Sequence, residues 1–152
     1  MSDYRHQTLI TAPIERVWEL VGNPARHPEW FPRVLEVRGD SFQLGDVYVQ
    51  VSKQPVGIGT TSLEIDRIEE MRELSFHCRD TGTFVHWRLT PAREDTFVEA
   101  EFGMEPTGLI YRMFDATAGR MYFRRWLDQS LDALSAKVGE PPPAPEPTPP
   151  SA

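Results

Sequence analysis

The sequence predicts an α+β domain in which a curved antiparallel sheet of about six or seven strands wraps around a long C-terminal helix, with two short helices after the first strand. Two observations predict this class. From Val34 to Met104 the chain repeatedly alternates apolar and polar residues, which is typical of strands with one buried and one solvent face. From Gly108 to Val138 apolar residues recur at helical spacing. Strands joined by short turns are antiparallel, so the helix is expected to cover the apolar face of the sheet.

The first elements are a strand and two short helical pieces. The strand is expected over Tyr4 to Thr11, and Ala12-Pro13 then opens a helix because proline suits the first helical position. The apolar face of that helix comprises Ile14, Val17, Trp18 and Val21. The segment Pro24 to Pro32 contains three prolines, which predict a helical turn or a shaped loop.

The alternating segments predict which strand residues face the helix. Alternate residues along a strand face opposite sides of the sheet. In each segment we expect the more apolar of these two sets, or phases, to face the helix. The inward set is Val47, Val49, Val51, Thr61, Leu63, Ile65, Leu74, Phe76, Cys78, Val85, Trp87, Leu89, Val98, Ala100, Phe102 and Met104. Ionisable residues such as Glu64, Asp66 and Glu99 are then expected to face water.

The hairpin around Thr81-Gly82 leaves two registers open. A two-residue turn pairs Phe76 with Trp87 and places His77 opposite His86, whereas a glycine bulge slips the register by one and turns His86 inward. We favour the two-residue turn because its inward residues are the more apolar. The exposed His77–His86 pair is not expected to bind a metal, since two ligands do not make a closed site.

The last helix and the segment after it complete the chain. The helix would be about 45 Å long, and Gly139 is well placed to end it. Its apolar stripe comprises Ile110, Phe114, Thr117, Met121, Leu127, Leu131, Leu134 and Val138. Residues 140–152 are proline-rich with no large apolar side chain, so we expect a folded domain over 1–139 and a disordered tail without a partner over 140–152.

Composition excludes several classes of function. The net charge of −7 and the pI near 5.1 argue against binding to nucleic acid or anionic membranes. Cys78 is the sole cysteine, so no intrachain disulfide forms. We expect no signal peptide, because the N-terminus lacks an unbroken apolar run behind a basic start. The sequence also has no run of about 18 apolar residues, no HExxH or CxxC and no phosphate-binding glycine loop. We expect a cytoplasmic protein without metal or cofactor, and a weak homodimer is compatible with the sequence.

One segment carries a family resemblance. Ile10 to Val34 reads ITAPIERVWELVGNPARHPEWFPRV, with Ala12-Pro13, then Val17-Trp18, then Pro28 and Trp30, and WRLTP follows at Trp87 to Pro91. These strings resemble the START-like, or SRPBCC, superfamily and its polyketide cyclase/dehydrase and lipid-transport group, over about Tyr4 to Val138. The resemblance implies a helix-grip fold, as in birch-pollen-allergen-like proteins, with an apolar cavity between the sheet and the last helix and with Trp30 and Phe31 near its mouth.

These observations predict the binding, for sequestration or transport, of a hydrophobic small molecule such as a lipid, polyketide or isoprenoid. The expected cavity wall is Trp30, Phe31, Val49, Val51, Leu63, Ile65, Leu74, Phe76, Cys78, Val85, Trp87, Val98, Ala100, Phe102, Ile110, Phe114, Thr117 and Met121. The expected polar anchors are Thr61, Arg67, Arg120 and Arg124. Two alternatives stay open: a cyclase/dehydratase acting on an aromatic or poly-keto substrate, and a non-catalytic interaction protein with a collapsed cavity. No catalytic residue is assigned, because few acid–base groups converge inside.

Overall fold

The computed structural model describes residues 2–54, 56–104 and 120–139, and for residues 2, 3 and 120 it describes the backbone alone. It confirms the α+β class and the predicted architecture. The strands are β1 (Ser2–Ile10), β2 (Val34–Arg38), β3 (Val47–Lys53), β4 (Ile58–Glu69), β5 (Glu73–Cys78), β6 (Thr83–Ala92) and β7 (Asp95–Met104). The helices are α1 (Ile14–Val21), a 3-10 helix (Pro24–Glu29) and α2 (Arg120–Gly139). The expected start of the last helix, with Ile110, Phe114 and Thr117, and the expected tail lie outside the described residues.

The seven strands form one antiparallel sheet in the order β1-β7-β6-β5-β4-β3-β2. Strands β2 to β7 follow one another as a meander, and β1 pairs with β7 from Ser2 opposite Met104 to Ile10 opposite Thr96. The connection from β1 to β2 therefore runs from one edge of the sheet to the other. This connection carries α1 and the 3-10 helix, and α1 contacts β6, β7 and α2.

Helix α2 packs on the concave face of the sheet through a stripe that agrees with the prediction only in part. Leu127, Leu131, Leu134 and Val138 are buried as expected. Met121 was expected inside but is 68% exposed, and Phe123 is buried instead. The reason is helical spacing: Phe123 lies four residues before Leu127, whereas Met121 lies six residues before it and faces away.

The prediction for β3 was wrong by one residue. Tyr48, Gln50 and Ser52 are buried, while Val49 and Val51 lie half-buried on the opposite face. Pairing decides the phase, because Tyr48 lies opposite the buried Leu63 and Gln50 opposite Thr61 on β4, and residues paired across two strands share a face.

The β5–β6 hairpin has a third register that neither predicted turn gives. Phe76 lies opposite Val85, Leu74 opposite Trp87 and His77 opposite Phe84. This is two residues away from the favoured register, so Val85, Trp87 and Leu89 still face inward. The predicted His77–His86 pair is therefore wrong. Each histidine instead meets a carboxylate, His77 at 2.9 Å from Asp66 and His86 at 2.8 Å from Glu73.

Three long-range hydrogen bonds to backbone carbonyls tie the helices to the rest of the domain. Arg16 Nε of α1 donates to the Val138 carbonyl at 2.9 Å, where the end of α2 leaves carbonyls without helical partners. Thr96 Oγ1 of β7 donates to the Ala12 carbonyl at 2.9 Å, just before α1. Trp126 Nε1 donates to the Pro32 carbonyl at 2.8 Å. Helix α2 is thus fixed near its C-terminal end to α1 and near its middle to the segment before β2.

Candidate functional site

A cavity of about 330 Å³ lies between the sheet and α2, on the side of the β3–β4 and β5–β6 hairpins. Its apolar wall comes from the inward faces of four strands: Leu63, Phe76, Cys78, Val85 and Met104. Helix α2 contributes Tyr122, Phe123 and Trp126 on the other side, and Val56 of the β3–β4 loop stands at the rim. A lining of this kind removes water from an apolar ligand.

Polar groups of the wall come mainly from β3, β4 and the β5–β6 hairpin. They are Gln50, Ser52, Gln54, Thr61, Thr81 and Thr83. Several of them hydrogen-bond to one another or to the strands: Gln54 Nε2 to Ser52 Oγ at 3.1 Å, Thr81 Oγ1 with Thr83 Oγ1 at 2.9 Å, and Thr61 Oγ1 to the Gln50 carbonyl at 3.4 Å. Gln50 differs, because its buried Oε1 has no hydrogen-bond partner among the described residues.

Arg33 and Lys53 bring positive charge to the same cavity. Arg33 lies between the 3-10 helix and β2, and its guanidinium carbon is 4.6 Å from the centre of the Tyr122 ring, a cation–π arrangement. Its backbone φ of 75° is in the left-handed region, which is uncommon outside glycine. The Arg33 carbonyl accepts a 2.8 Å hydrogen bond from the Lys53 amide, so the two cations are linked through the backbone.

Tyr122 supplies a phenol at the cavity wall. Partial burial raises the pKa of Tyr122, and the nearby positive charge of Arg33 opposes that rise. The phenol therefore stays protonated at neutral pH and can donate a hydrogen bond to a ligand. Among the described lining residues there is no Asp, Glu or His.

A cluster of aromatic side chains lies at the centre of the rest of the interior. Phe31 stacks on Trp30 with 5.0 Å between ring centres and lies 5.7 Å from Trp87, and Phe102 lies 4.8 Å from Trp126. His27 is buried beside Trp30 and Phe31. The interior thus has two parts: the aromatic cluster, which we call the filled half, and the cavity, which we call the open half. Trp126 belongs to both, since it contacts the cluster and also lines the cavity.

The structure brings together only some of the residues expected at the cavity. Leu63, Phe76, Cys78 and Val85 line it, as does the expected anchor Thr61. Trp30, Phe31 and Trp87 belong to the filled half, and Val49, Val51 and Met121 face away. The other described residues of the expected wall are buried in the core without lining the cavity: Ile65, Leu74, Val98, Ala100 and Phe102. The expected residues Ile110, Phe114 and Thr117 and the side chain of Arg120 lie outside the described part of the chain.

Two of the expected arginine anchors point away from the cavity. The Arg67 side chain is 68% exposed and 3.8 Å from Glu73, because a register shift between Ile65 and Arg67 interrupts the alternation of β4. Arg124 is exposed on α2. The cations that line the cavity are instead Arg33 and Lys53. Arg33 lies in a loop, where the sequence has no periodicity to predict its direction. Lys53 is the last residue of β3, the strand whose inward face was predicted wrongly.

One group of potential metal ligands lies on the outer face of the sheet. Ligand atoms of Glu64, Asp66 and His77 are within 4.8 Å of one another. His77 Nδ1 already lies 2.9 Å from both carboxylate oxygens of Asp66, so the convergence is explained by a hydrogen bond across two strands. In the described part of the chain, no helix is long and apolar enough to cross a membrane.

Comparisons with known proteins agree with this fold. A family model described as polyketide cyclase/dehydrase and lipid transport matches residues 1–139. No functionally curated protein matches the sequence. The chain is similar to the Zhui aromatase/cyclase of Streptomyces sp. R1128, with 16% identity, a TM-score of 0.66, and coverage of 90% of this chain and 93% of that one. It is also similar to a START superfamily protein of Mycobacterium smegmatis, with 13% identity, a TM-score of 0.70, and coverage of 90% and 96%. A protein of Thermus thermophilus has 16% identity, a TM-score of 0.72, and coverage of 90% and 97%. At these identities the structures show a shared fold.

Proposed function

The chain belongs to the polyketide cyclase/dehydrase and lipid transport family, and we propose that its cavity binds a hydrophobic small molecule such as a lipid, polyketide or isoprenoid. Membership confirms the resemblance drawn from Ile10 to Val34. The observation that carries the proposal is the apolar cavity of about 330 Å³, walled by residues such as Leu63, Phe76 and Val85. Its size falls in the range of about 300–1,000 Å³ that is usual for small-molecule sites.

Binding for sequestration or transport is favoured over catalysis by the chemistry of the wall. General acid–base catalysis needs a group that gains or loses a proton near the working pH. The described lining offers neither a carboxylate nor an imidazole, and most of its polar groups are hydroxyls and amides, which are suited to orienting a ligand.

Two experiments test the proposal. Native mass spectrometry of the freshly purified protein should show a co-purified small molecule, or mass shifts when apolar compounds are added. Thr83→Trp should then block the cavity, because Thr83 is a half-buried lining residue of β6. Thr90→Trp is the matched control, since Thr90 lies on the same strand but is exposed on the other face.

The expected result is at least a tenfold loss of affinity for Thr83→Trp and an unchanged affinity for Thr90→Trp. Circular dichroism should show that both variants keep the wild-type fold. The proposal is contradicted if a broad panel of lipophilic compounds neither binds nor raises the melting temperature of the wild-type protein.

A cyclase/dehydratase activity is the second candidate, and Tyr122 beside Arg33 is the observation that favours it. A protonated phenol next to a guanidinium can donate a proton or a hydrogen bond to a bound keto oxygen. Tyr122→Phe should then abolish turnover of a poly-keto thioester without weakening its binding. Equal turnover in wild type and variant would exclude Tyr122 from this role.

The remaining alternative, an interaction protein with a collapsed cavity, requires a filled interior, and the open half of the interior argues against it.

A further inference from the structure

We propose that the ligand of this cavity carries an acidic group, a carboxylate on an otherwise apolar body, and that Arg33 is the residue that binds it. This inference rests on the proposed function and adds the chemical class of the ligand. It starts from the charge of the wall: the described lining residues include two cations, Arg33 and Lys53, and no carboxylate. The chain as a whole has a net charge of −7. A locally positive wall inside an acidic protein favours an anionic ligand.

Arg33 has hydrogen-bonding capacity that the described part of the protein leaves unused. Its Nε is buried and has no hydrogen-bond partner there, and Arg33 forms no ion pair with any described Asp or Glu. A buried donor without an acceptor is unfavourable, and most such groups in proteins are paired. A ligand carboxylate would remove this deficit, because the planar guanidinium can donate two parallel hydrogen bonds to its two oxygens.

Gln50 gives a second, independent indication of a polar ligand group. It is only 6% exposed, it lines the cavity, and its Oε1 is buried without a partner among the described residues. The side-chain amide can turn either its carbonyl or its NH₂ toward the cavity. It can therefore donate to a carboxylate or accept from a hydroxyl group of the ligand.

Hydrogen bonds hold the backbone around Arg33, and an aromatic ring supports its guanidinium, before any ligand arrives. Arg33 is fixed on one side by the Lys53 amide, which donates to its carbonyl at 2.8 Å, and on the other by Trp126, which donates to the Pro32 carbonyl at 2.8 Å. The Tyr122 ring lies against the guanidinium at 4.6 Å. Groups that are ordered in advance lose less entropy on binding, so a single fixed cation can discriminate strongly between ligands.

The apolar wall and the Arg33 end together describe an amphipathic acid. Leu63, Phe76 and Val85 suit a hydrocarbon chain or ring, and the volume of about 330 Å³ suits a compact molecule. Decanoate is a suitable probe, with decanol and decyltrimethylammonium as neutral and cationic compounds with the same alkyl chain.

Isothermal titration calorimetry with these three probes tests the inference. The wild-type protein should bind decanoate at least about tenfold more tightly than decanol, and decyltrimethylammonium most weakly, because a charge-assisted hydrogen bond is worth at least that factor. Arg33→Gln should reduce decanoate affinity about tenfold and leave decanol affinity within about twofold. Arg124→Gln is the matched control, since it changes the net charge equally at an exposed position of α2.

The outcomes separate this inference from the proposed function. Equal affinities of the wild type for decanoate and decanol would overturn the acidic-ligand inference while supporting a hydrophobic cavity. An unchanged decanoate affinity in Arg33→Gln, or an equal loss in Arg124→Gln, would overturn the assignment to Arg33. Binding of none of the probes would overturn the acidic-ligand inference, whereas the proposed function is contradicted when the broad lipophilic panel also fails to bind. If Arg33→Gln fails to fold, the preference of the wild-type protein among the three probes still decides whether the ligand is acidic.

Discussion

At the scale of single residues, His27 is a fully buried group whose ionisation is strongly affected by folding. Its Nε2 lies 2.9 Å from the Val21 carbonyl and donates to it, and its Nδ1 has no partner among the described residues. Burial among Trp30, Phe31 and Phe76 lowers the pKa of His27 to about 4, since a charged imidazolium would lose its hydration there. The native protein therefore keeps His27 neutral at pH values where an unfolded chain would protonate it.

This difference predicts a loss of stability in mild acid. Between the unfolded pKa of about 6.5 and the folded pKa of about 4, the unfolded state binds a proton that the native state does not. The free energy of unfolding should therefore fall as the pH falls through this window, by about 3 kcal/mol from His27 in total. Urea unfolding at several pH values between 7 and 4 measures this slope.

Two variants isolate the contribution of His27. His27→Gln keeps a side-chain donor for the Val21 carbonyl but cannot titrate, so its stability should decline less steeply in this pH range. His6→Gln is the matched control, because it removes a histidine at an exposed position of β1. Parallel pH profiles for wild type and His27→Gln would show that His27 is not the group responsible.

At the scale of the elements, the β5–β6 hairpin shows how a loop sets a register. Strand β5 ends at Cys78 and β6 begins at Thr83, with the Gly82 amide donating to the Cys78 carbonyl at 3.0 Å. Gly82 has a φ of 77°, which glycine adopts without strain but most other residues do not. The left-handed backbone conformation of Gly82 directs the chain into β6 in the register that places Phe76 opposite Val85.

Gly82→Ala should therefore lower the free energy of unfolding by about 1 kcal/mol, because a Cβ is disfavoured in the left-handed region. Gly82→Asn should cost less, since asparagine tolerates this region better. Urea midpoints measure both effects. Gly139→Ala serves as a control, because an added Cβ at Gly139 meets no atom within 4 Å. Equal losses in Gly82→Ala and Gly82→Asn would mean that the φ angle is not the cause.

The elements also show which strand phases the sequence could determine. In β6 one set of alternate residues is clearly more apolar than the other, and its predicted inward orientation was confirmed. The inward set is Val85, Trp87 and Leu89, and the outward set is Phe84, His86 and Arg88. In β3 the valines are apolar, but the other phase has a large aromatic residue, Tyr48. Pairing with Leu63 of β4 decided in favour of Tyr48, and this register could not be derived from β3 alone.

At the scale of the whole molecule, the fold could be predicted more completely than the site. Element order follows from local periodicity, and antiparallel pairing follows from short connections. The cavity depends on which large side chains fill the space between the sheet and α2. Trp87 and Trp126 have equal volume, yet Trp87 is fully buried in the filled half and Trp126 borders the open half. No periodicity distinguishes them, because the difference arises from packing with residues distant in the sequence.

The extent of the domain also belongs to this scale. We propose that the folded unit ends at Gly139, the last residue of α2 and of the family match. A chain lacking residues 140–152 should then keep the melting temperature of the full chain within about 2 °C and bind decanoate with the same affinity. A clear drop in melting temperature for the shortened chain would show that the C-terminal residues contribute to the fold.

The division of the interior into a filled and an open half determines which residues can be substituted without loss of the fold. Residues packed around Trp87 and Phe102 hold the sheet and helix together, whereas side chains bordering the empty volume have room to be exchanged. Exchanges at positions such as Thr61, Thr83 or Gln50 should therefore alter what the protein accepts at little expense in stability. On the proposed function, a few substitutions in the open half would redirect the same architecture to other compounds.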